Sequence, residues 1–305
     1  MRIISLLPSA TEIVFALGRG DDLVGVTFEC DFPEEATSRP VVVRSALPQD
    51  RQLSSEEIDS AVRERMETRS PLYTLERELI AELEPDVVLT QDLCRVCAVP
   101  AGQVERALGE LGASGATVVS LEPHSLGGIL DSFLEVGEVL QARDAAEELV
   151  ARSRTRIEAV RATARRLPSV RVFCLEWLEP PFVGGHWIPE MVEAAGGVNL
   201  LNTAEHRSRV VTWREVRDAG PEVTVFMPCG YYLQEAEDEA DALIANAEFA
   251  ETPAAREGAV FAVDATSYFS RPGPRIVDGL EALAWAIHPN AYAEPPPDRI
   301  ARVGS

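Results

Sequence analysis

The chain has 305 residues, 46% of them hydrophobic and 26% charged, and 50 acidic against 28 basic side chains give a formal charge of -22. It is long enough for two hydrophobic cores and too apolar to be disordered, while its charge repels phosphate backbones and anionic headgroups, so no nucleic acid partner is expected. Every basic residue is arginine, which excludes lysine Schiff-base chemistry and the phosphate-gripping lysine of a P-loop.

Met1-Arg2 runs directly into the strand-like Ile3-Ile4-Ser5-Leu6-Leu7, whereas a secretory leader needs a basic start, an apolar stretch of about 7 to 15 residues and a small-residue cleavage site. No run approaches the ~18 apolar residues of a membrane span. The expectation is a cytoplasmic protein without membrane insertion, in which cysteines serve metal or redox work more often than structural disulfides.

Strands are expected near Ile3 to Leu7, Leu23 to Val26, Asp86 to Thr90 and Thr117 to Ser120. Helices are expected near Ser9 to Leu17, Ser55 to Met66, Tyr73 to Glu82 and Pro100 to Leu111. Ser9-Ala10-Thr11-Glu12 has the form of a capping box, with an N-cap hydroxyl and a carboxylate three residues on. From Leu126 to Leu167 there is no strand signal, and apolar residues recur at helical spacing. As one helix, Asp144 to Arg166 would span ~34 Å, the length of a stiff strut between lobes. Pro168 ends it.

The second half repeats the alternation, with strands at Val170 to Leu175, Val223 to Phe226 and Ala259 to Val263. Its helices fall near Ile188 to Ala195, Trp213 to Asp218, Asp238 to Asn246 and Pro274 to Ile287. Alternation of this kind predicts parallel βαβ units. The expected fold is α/β, with two Rossmann-like lobes of parallel sheet joined by one long rigid helix. The division is an amino-terminal lobe over 1–125, a linker helix over 126–167, a carboxyl-terminal lobe over 168–290 and an extended tail over 291–305.

Four of the five cysteines follow predicted strands: Cys30, Cys94, Cys97 and Cys229. The carboxyl ends of strands in a parallel α/β sheet form its ligand crevice. Cys94 and Cys97 are spaced to share one metal, and four thiolates from three loops suit an iron-sulfur cluster or tetrahedral zinc. Ordinary half-buried cysteines and a Cys94–Cys97 disulfide are the alternatives. Cys174 lies within a strand and belongs to the core.

Arg2-Ile3-Ile4-Ser5-Leu6-Leu7-Pro8-Ser9-Ala10-Thr11-Glu12, the later Leu17-Gly18, the strand entry Glu84-Pro85-Asp86-Val87-Val88 and the long midpoint helix carry a resemblance. From residue 2 to about 288 the chain resembles the class III periplasmic binding proteins and, within them, the vitamin B12-binding protein group. The resemblance implies two α/β lobes joined by one rigid helix, a ligand held between the lobes, and delivery to an ABC importer rather than catalysis. Relatives of this fold carry corrinoids, haem, ferric siderophores or bare metal ions. The expected leader is not seen in this sequence.

Trp177, Phe182 and Trp187 could give a flat ligand such as a tetrapyrrole an apolar wall. His186 could ligate a metal through a ring nitrogen, and His124, at another predicted strand end, has similar standing. Tyr231 and Tyr232 follow Cys229. Tyr268 stands before Arg271 and Arg275, which open the last long helix and could hold ligand carboxylates or phosphate; a proline-started cap with arginines paired to acids is the alternative. No glycine-flanked serine, HExxH or dinucleotide fingerprint occurs. The reading is a binding protein for a corrinoid, cobalamin-like or other metal-containing small molecule. The alternative is a cytoplasmic metalloprotein with a cysteine-held iron-sulfur cluster or zinc in a redox or enzymatic role, and a third is a lipoprotein shorn of its leader that feeds an importer.

Overall fold

The computed structural model describes residues 1–47, 55–68, 70–91, 99, 101–110 and 115–304. It divides into two compact units, one of Met1–Pro123 with Leu130–Val150, the other of His124–Ile129 with Ala151–Ser305. Among the described residues no helix is long and apolar enough to cross a membrane.

The first unit runs β1 (Ile3–Ser5), α1 (Pro8–Ala16), β2 (Leu23–Thr27), β3 (Val41–Ser45), α2 (Ser55–Thr68), β4 (Tyr73–Leu75), α3 (Arg77–Glu82), β5 (Val87–Thr90), α4 (Ala101–Glu110) and β6 (Thr117–Ser120). Its sheet has the order β4-β3-β2-β1-β5-β6. All pairings are parallel except that of β3 with β4. β1 and β5 are buried along their whole length, as central strands covered on both faces must be. Ile4, Val42, Val88, Val104 and Leu108 are the heart of this core.

Two helices follow, α5 (Leu126–Val139) and α6 (Arg143–Ala164). The 22 residues of α6 rise about 33 Å, and within this helix the chain passes from the first unit into the second. Gly137 makes the turn between α5 and α6 tight, because a methyl group there would collide with the Ala146 side chain. A substituent would force the helices apart.

The second unit holds β7 (Val170–Trp177), β8 (Phe182–Val183), α7 (Ile188–Ala194), β9 (Gly197–Asn199), β10 (Arg209–Val210), α8 (Trp213–Ala219) and β11 (Val223–Phe226). α9 (Leu233–Ala245), α10 (Pro253–Glu257), β12 (Val260–Val263), α11 (Ala265–Tyr268), α12 (Ile276–Ile287) and β13 (Ile300–Arg302) complete it. Its sheet has the order β10-β8-β7-β11-β12-β13, with β9 also paired to β7. β7, β9, β11 and β12 are parallel; β8, β10 and β13 join antiparallel. The long β7 serves two neighbours, pairing Val170 with Gly197 at its start and Trp177 with Phe182 at its end. Phe173, Cys174, Val225, Phe226, Ala262 and Leu280 are fully buried, and burial pushes the Cys174 thiol pKa up.

Several local expectations are corrected. Ser9 does not cap α1: the helix begins at Pro8, whose fixed φ suits the first helical position, and Leu7 is the extended N-cap without a side-chain bond. Real capping by side chains occurs at Thr212, Thr252 and Asp264. Tyr73-Thr74-Leu75 is an edge strand against β3 rather than the start of a helix, in keeping with its aromatic and β-branched residues. The segment 291–305 is not a wholly extended tail, because β13 covers the open edge of β12 and buries Ile300.

Candidate functional site

In the second unit the carboxyl ends of β7, β11 and β12 come together, and the loops leaving them carry most of the residues singled out from the sequence. Trp177 ends β7 half-buried and meets Tyr231 edge-on, with ring centroids 5.9 Å apart. The Tyr231 hydroxyl donates to Glu239 at 3.1 Å, and the Tyr231 carbonyl accepts from the Thr266 amide at 3.0 Å. Tyr231 is thus fixed from both ends. The indole Nε1 of Trp177 is buried yet has no hydrogen-bond partner among the described residues. Phe182, half-buried, lies across from Trp177 in the β7–β8 register.

Trp187 has a different setting from the open wall expected of it. It is 5% exposed, and its Nε1 donates to the Phe269 carbonyl at 2.9 Å. Its surface is used inside the unit, bracing the end of α11, because an indole in the core must find an acceptor.

His186, the residue before Trp187, has a backbone φ of +54°. Its amide donates to the His206 carbonyl at 2.6 Å and its carbonyl accepts from the Glu205 amide at 3.0 Å. Gly185 must be glycine here, since a Cβ would collide with the Ser208 backbone nitrogen. The Glu176 carboxylate accepts from the Gly185 amide at 3.2 Å and from the Ser208 hydroxyl, tying the two halves of the loop together. The His186 ring lies 5.8 Å from that of His124 and 5.7 Å from that of Trp187. Burial, then the nearby His124 and Arg207, hold its pKa below the ordinary value.

The arginines before α12 stand in the electrostatic reach of one buried acid. Arg271 is 7% exposed, and both it and Arg275 act on Asp264, whose pKa is raised by burial against their pull and the Ser267 bonds. Arg275 and Arg299 both stand over the Tyr268 ring, 5.6 and 5.1 Å from its centre. Arg299 in turn donates to Asp278 at 3.1 Å, as Arg156 does at 2.8 Å. Burial raises the Tyr268 pKa.

The two described members of the cysteine set lie in separate units. Cys30, in the first unit, is 4% exposed, with Sγ 3.0 Å from the Thr11 hydroxyl. Cys229, in the second, is exposed, its amide bonded to the Glu176 carbonyl at 3.2 Å. Cys94 and Cys97 lie outside the described residues. No group of three or more His, Cys, Asp or Glu among the described residues could hold a metal ion.

Two further features escaped the sequence reading. Phe28 and Phe32, after β2 of the first unit, are 37% and 45% exposed, and Phe28 packs 6.5 Å from Tyr73. Their signal was present in Phe28-Glu29-Cys30-Asp31-Phe32 at a strand end, where the cysteine alone was weighed. Glu176, which orders the His186 loop, had none, since its partners lie 9 and 32 residues away.

A family model described as "Periplasmic binding protein" matches residues 3–266. The chain belongs to this family. It is 27% identical over 290 residues to the vitamin B12-binding protein of Vibrio cholerae, covering 92% of this chain and 87% of that one. An uncharacterised ABC transporter substrate-binding lipoprotein of Bacillus subtilis is 24% identical, with 96% and 82% covered. Among solved structures, the periplasmic heme-binding protein RhuT of Roseiflexus is 25% identical, with a TM-score of 0.69, covering 95% of this chain and 98% of that one. The periplasmic vitamin B12-binding protein of Vibrio cholerae gives a TM-score of 0.68 at 24% identity, covering 94% and 96%.

Proposed function

We propose that this protein is a binding protein for a corrinoid, held against the Trp177–Tyr231 rim of the second unit and delivered to an ABC importer. The observation that carries the reading is the Trp177 indole: a half-buried aromatic face whose buried Nε1 has no partner among the described residues. An apolar wall with one unspent donor suits a flat macrocycle with amide carbonyls at its edge. The names of the relatives, vitamin B12-binding and heme-binding, support the ligand class.

The test is a titration of the purified protein with cyanocobalamin and with haemin, followed by absorbance and tryptophan fluorescence. Saturable binding of about one equivalent of cobalamin, tighter than haemin, is expected. Binding of neither overturns the reading, and preference for haemin overturns its corrinoid part.

A further inference from the structure

Two histidines from distant parts of the sequence lie side by side in the second unit. His124 and His186 have ring centroids 5.8 Å apart, with planes inclined by 32°. With metal–nitrogen bonds of about 2.0–2.1 Å, one ion fits between imidazoles at this spacing. The juxtaposition is built from both sides. Glu190, in the first turn of α7, accepts the Leu126 amide at 2.7 Å and pairs with Arg161 at 3.1 Å, which anchors the start of α5 two residues after His124. On the other side, the two backbone bonds of His186 and the Glu176 clamp on Gly185 hold a non-glycine residue at φ +54°. Backbone strain of this kind persists only where the surroundings enforce it, and it gathers at ligand clamps.

A second observation points to a missing occupant. The Nδ1 of His186 is buried and has no hydrogen-bond partner among the described residues. Buried polar atoms are nearly always paired, and an orphan marks a place where a water, ion or ligand belongs. His206, the nearest further histidine in the chain, is engaged elsewhere, its Nδ1 lying 3.0 Å from the Thr203 hydroxyl.

We propose that His124 and His186 form a two-imidazole site for a first-row transition metal. Two protein ligands leave coordination positions open, so the metal arrives either as a solvated divalent cation or at the centre of a bound tetrapyrrole. The ligating chemistry is the same in both cases: a neutral imidazole nitrogen donates its lone pair. The site does not depend on the corrinoid reading, and each can fail alone.

The experiment uses the full chain and two probes, nickel chloride alone and ferric haem, with isothermal titration and Trp187 fluorescence as readouts. Trp187 is a built-in reporter, because its ring lies 5.7 Å from that of His186. The variants are His124→Gln, at an exposed position, and His186→Asn, which tolerates a positive φ; circular dichroism checks that each is folded. His288→Gln is the control. Nickel binding that quenches Trp187 and weakens about tenfold or more in either variant, but not in the control, supports the site with a free cation as its source. Without nickel binding, a haem Soret band that shifts in both variants but not in the control supports it with the macrocycle's metal as the source. Nickel and haem responses that are absent, or unchanged by both folded variants, overturn it. Histidine-dependent nickel binding without any cobalamin or haem binding leaves this site standing and removes the corrinoid reading.

Discussion

The strand-end loops of the two units treat their aromatic residues differently. After β2 in the first unit, Phe28 and Phe32 stand exposed and the buried member of the loop is Cys30, bonded to Thr11. In the second unit Trp187 and Tyr231 are drawn inward and hydrogen-bonded to Phe269 and Glu239, whereas the Trp177 Nε1 has no partner among the described residues. The second rim is thus braced by its own aromatics, while the first presents them. All four histidines also fall in the second unit.

The largest expected effect tests the bracing. Trp187→Ala removes a buried indole and should cost about 3–5 kcal/mol of stability, read as a lower denaturant midpoint, whereas Phe32→Ala should change the midpoint little. If the two lose equal stability, the contrast between a braced and a presenting rim is wrong. Gly185→Ala should follow. The added methyl must displace the Ser208 backbone, so amide exchange should quicken over 184–187 and 205–208 and not in the first unit.

Those effects reside in loops, the part of the molecule least legible from sequence. Val223 to Phe226 and Thr117 to Ser120 were readable because unbroken β-branched runs of strand length carry their own signal. β8, β9, β10 and β13 are two or three residues long and exist through the strand they pair with, so no local pattern announces them. Tyr73 to Leu75 read as helix because the helical pattern of Arg77 to Glu82 extends smoothly back over it. The position of Trp177 and Tyr231 at the carboxyl ends of β7 and β11 was legible from the strand runs that precede them. The inward turn of Trp187 depends on Phe269, 82 residues on, and the meeting of His124 with His186 depends on Glu190 reaching back to Leu126. Cysteine spacing drew attention to thiols because they are chemically conspicuous. Of the described thiols on strand-end loops, one is buried against Thr11 in the first unit and one is exposed in the second.

A smaller effect distinguishes the units by pH. Burial lowers the pKa of both His186 and His288. Below the unfolded value of about 6.5, the unfolded chain then binds more protons than the folded one, so stability present at pH 7 is lost as the pH falls through that value toward the folded one. Exchange-measured stability of the second unit should drop between pH 7 and 5.5 through these two histidines, and His288→Gln should shrink the drop. A drop unchanged by the variant would assign the effect to carboxylates. Smaller still, Phe28→Ala should cost far less stability than Trp187→Ala, because Phe28 is 37% exposed where Trp187 is 5% exposed.

The central claim is that Trp177 is the ligand-facing aromatic of the second unit and Trp187 its internal brace. Isothermal titration of cyanocobalamin into wild type and Trp177→Ala, both shown to be folded, tests it most directly. The account predicts a loss of affinity of about tenfold, equivalent to ~1.4 kcal/mol, with little change in unfolding midpoint. Equal cobalamin affinity in the two proteins would contradict it.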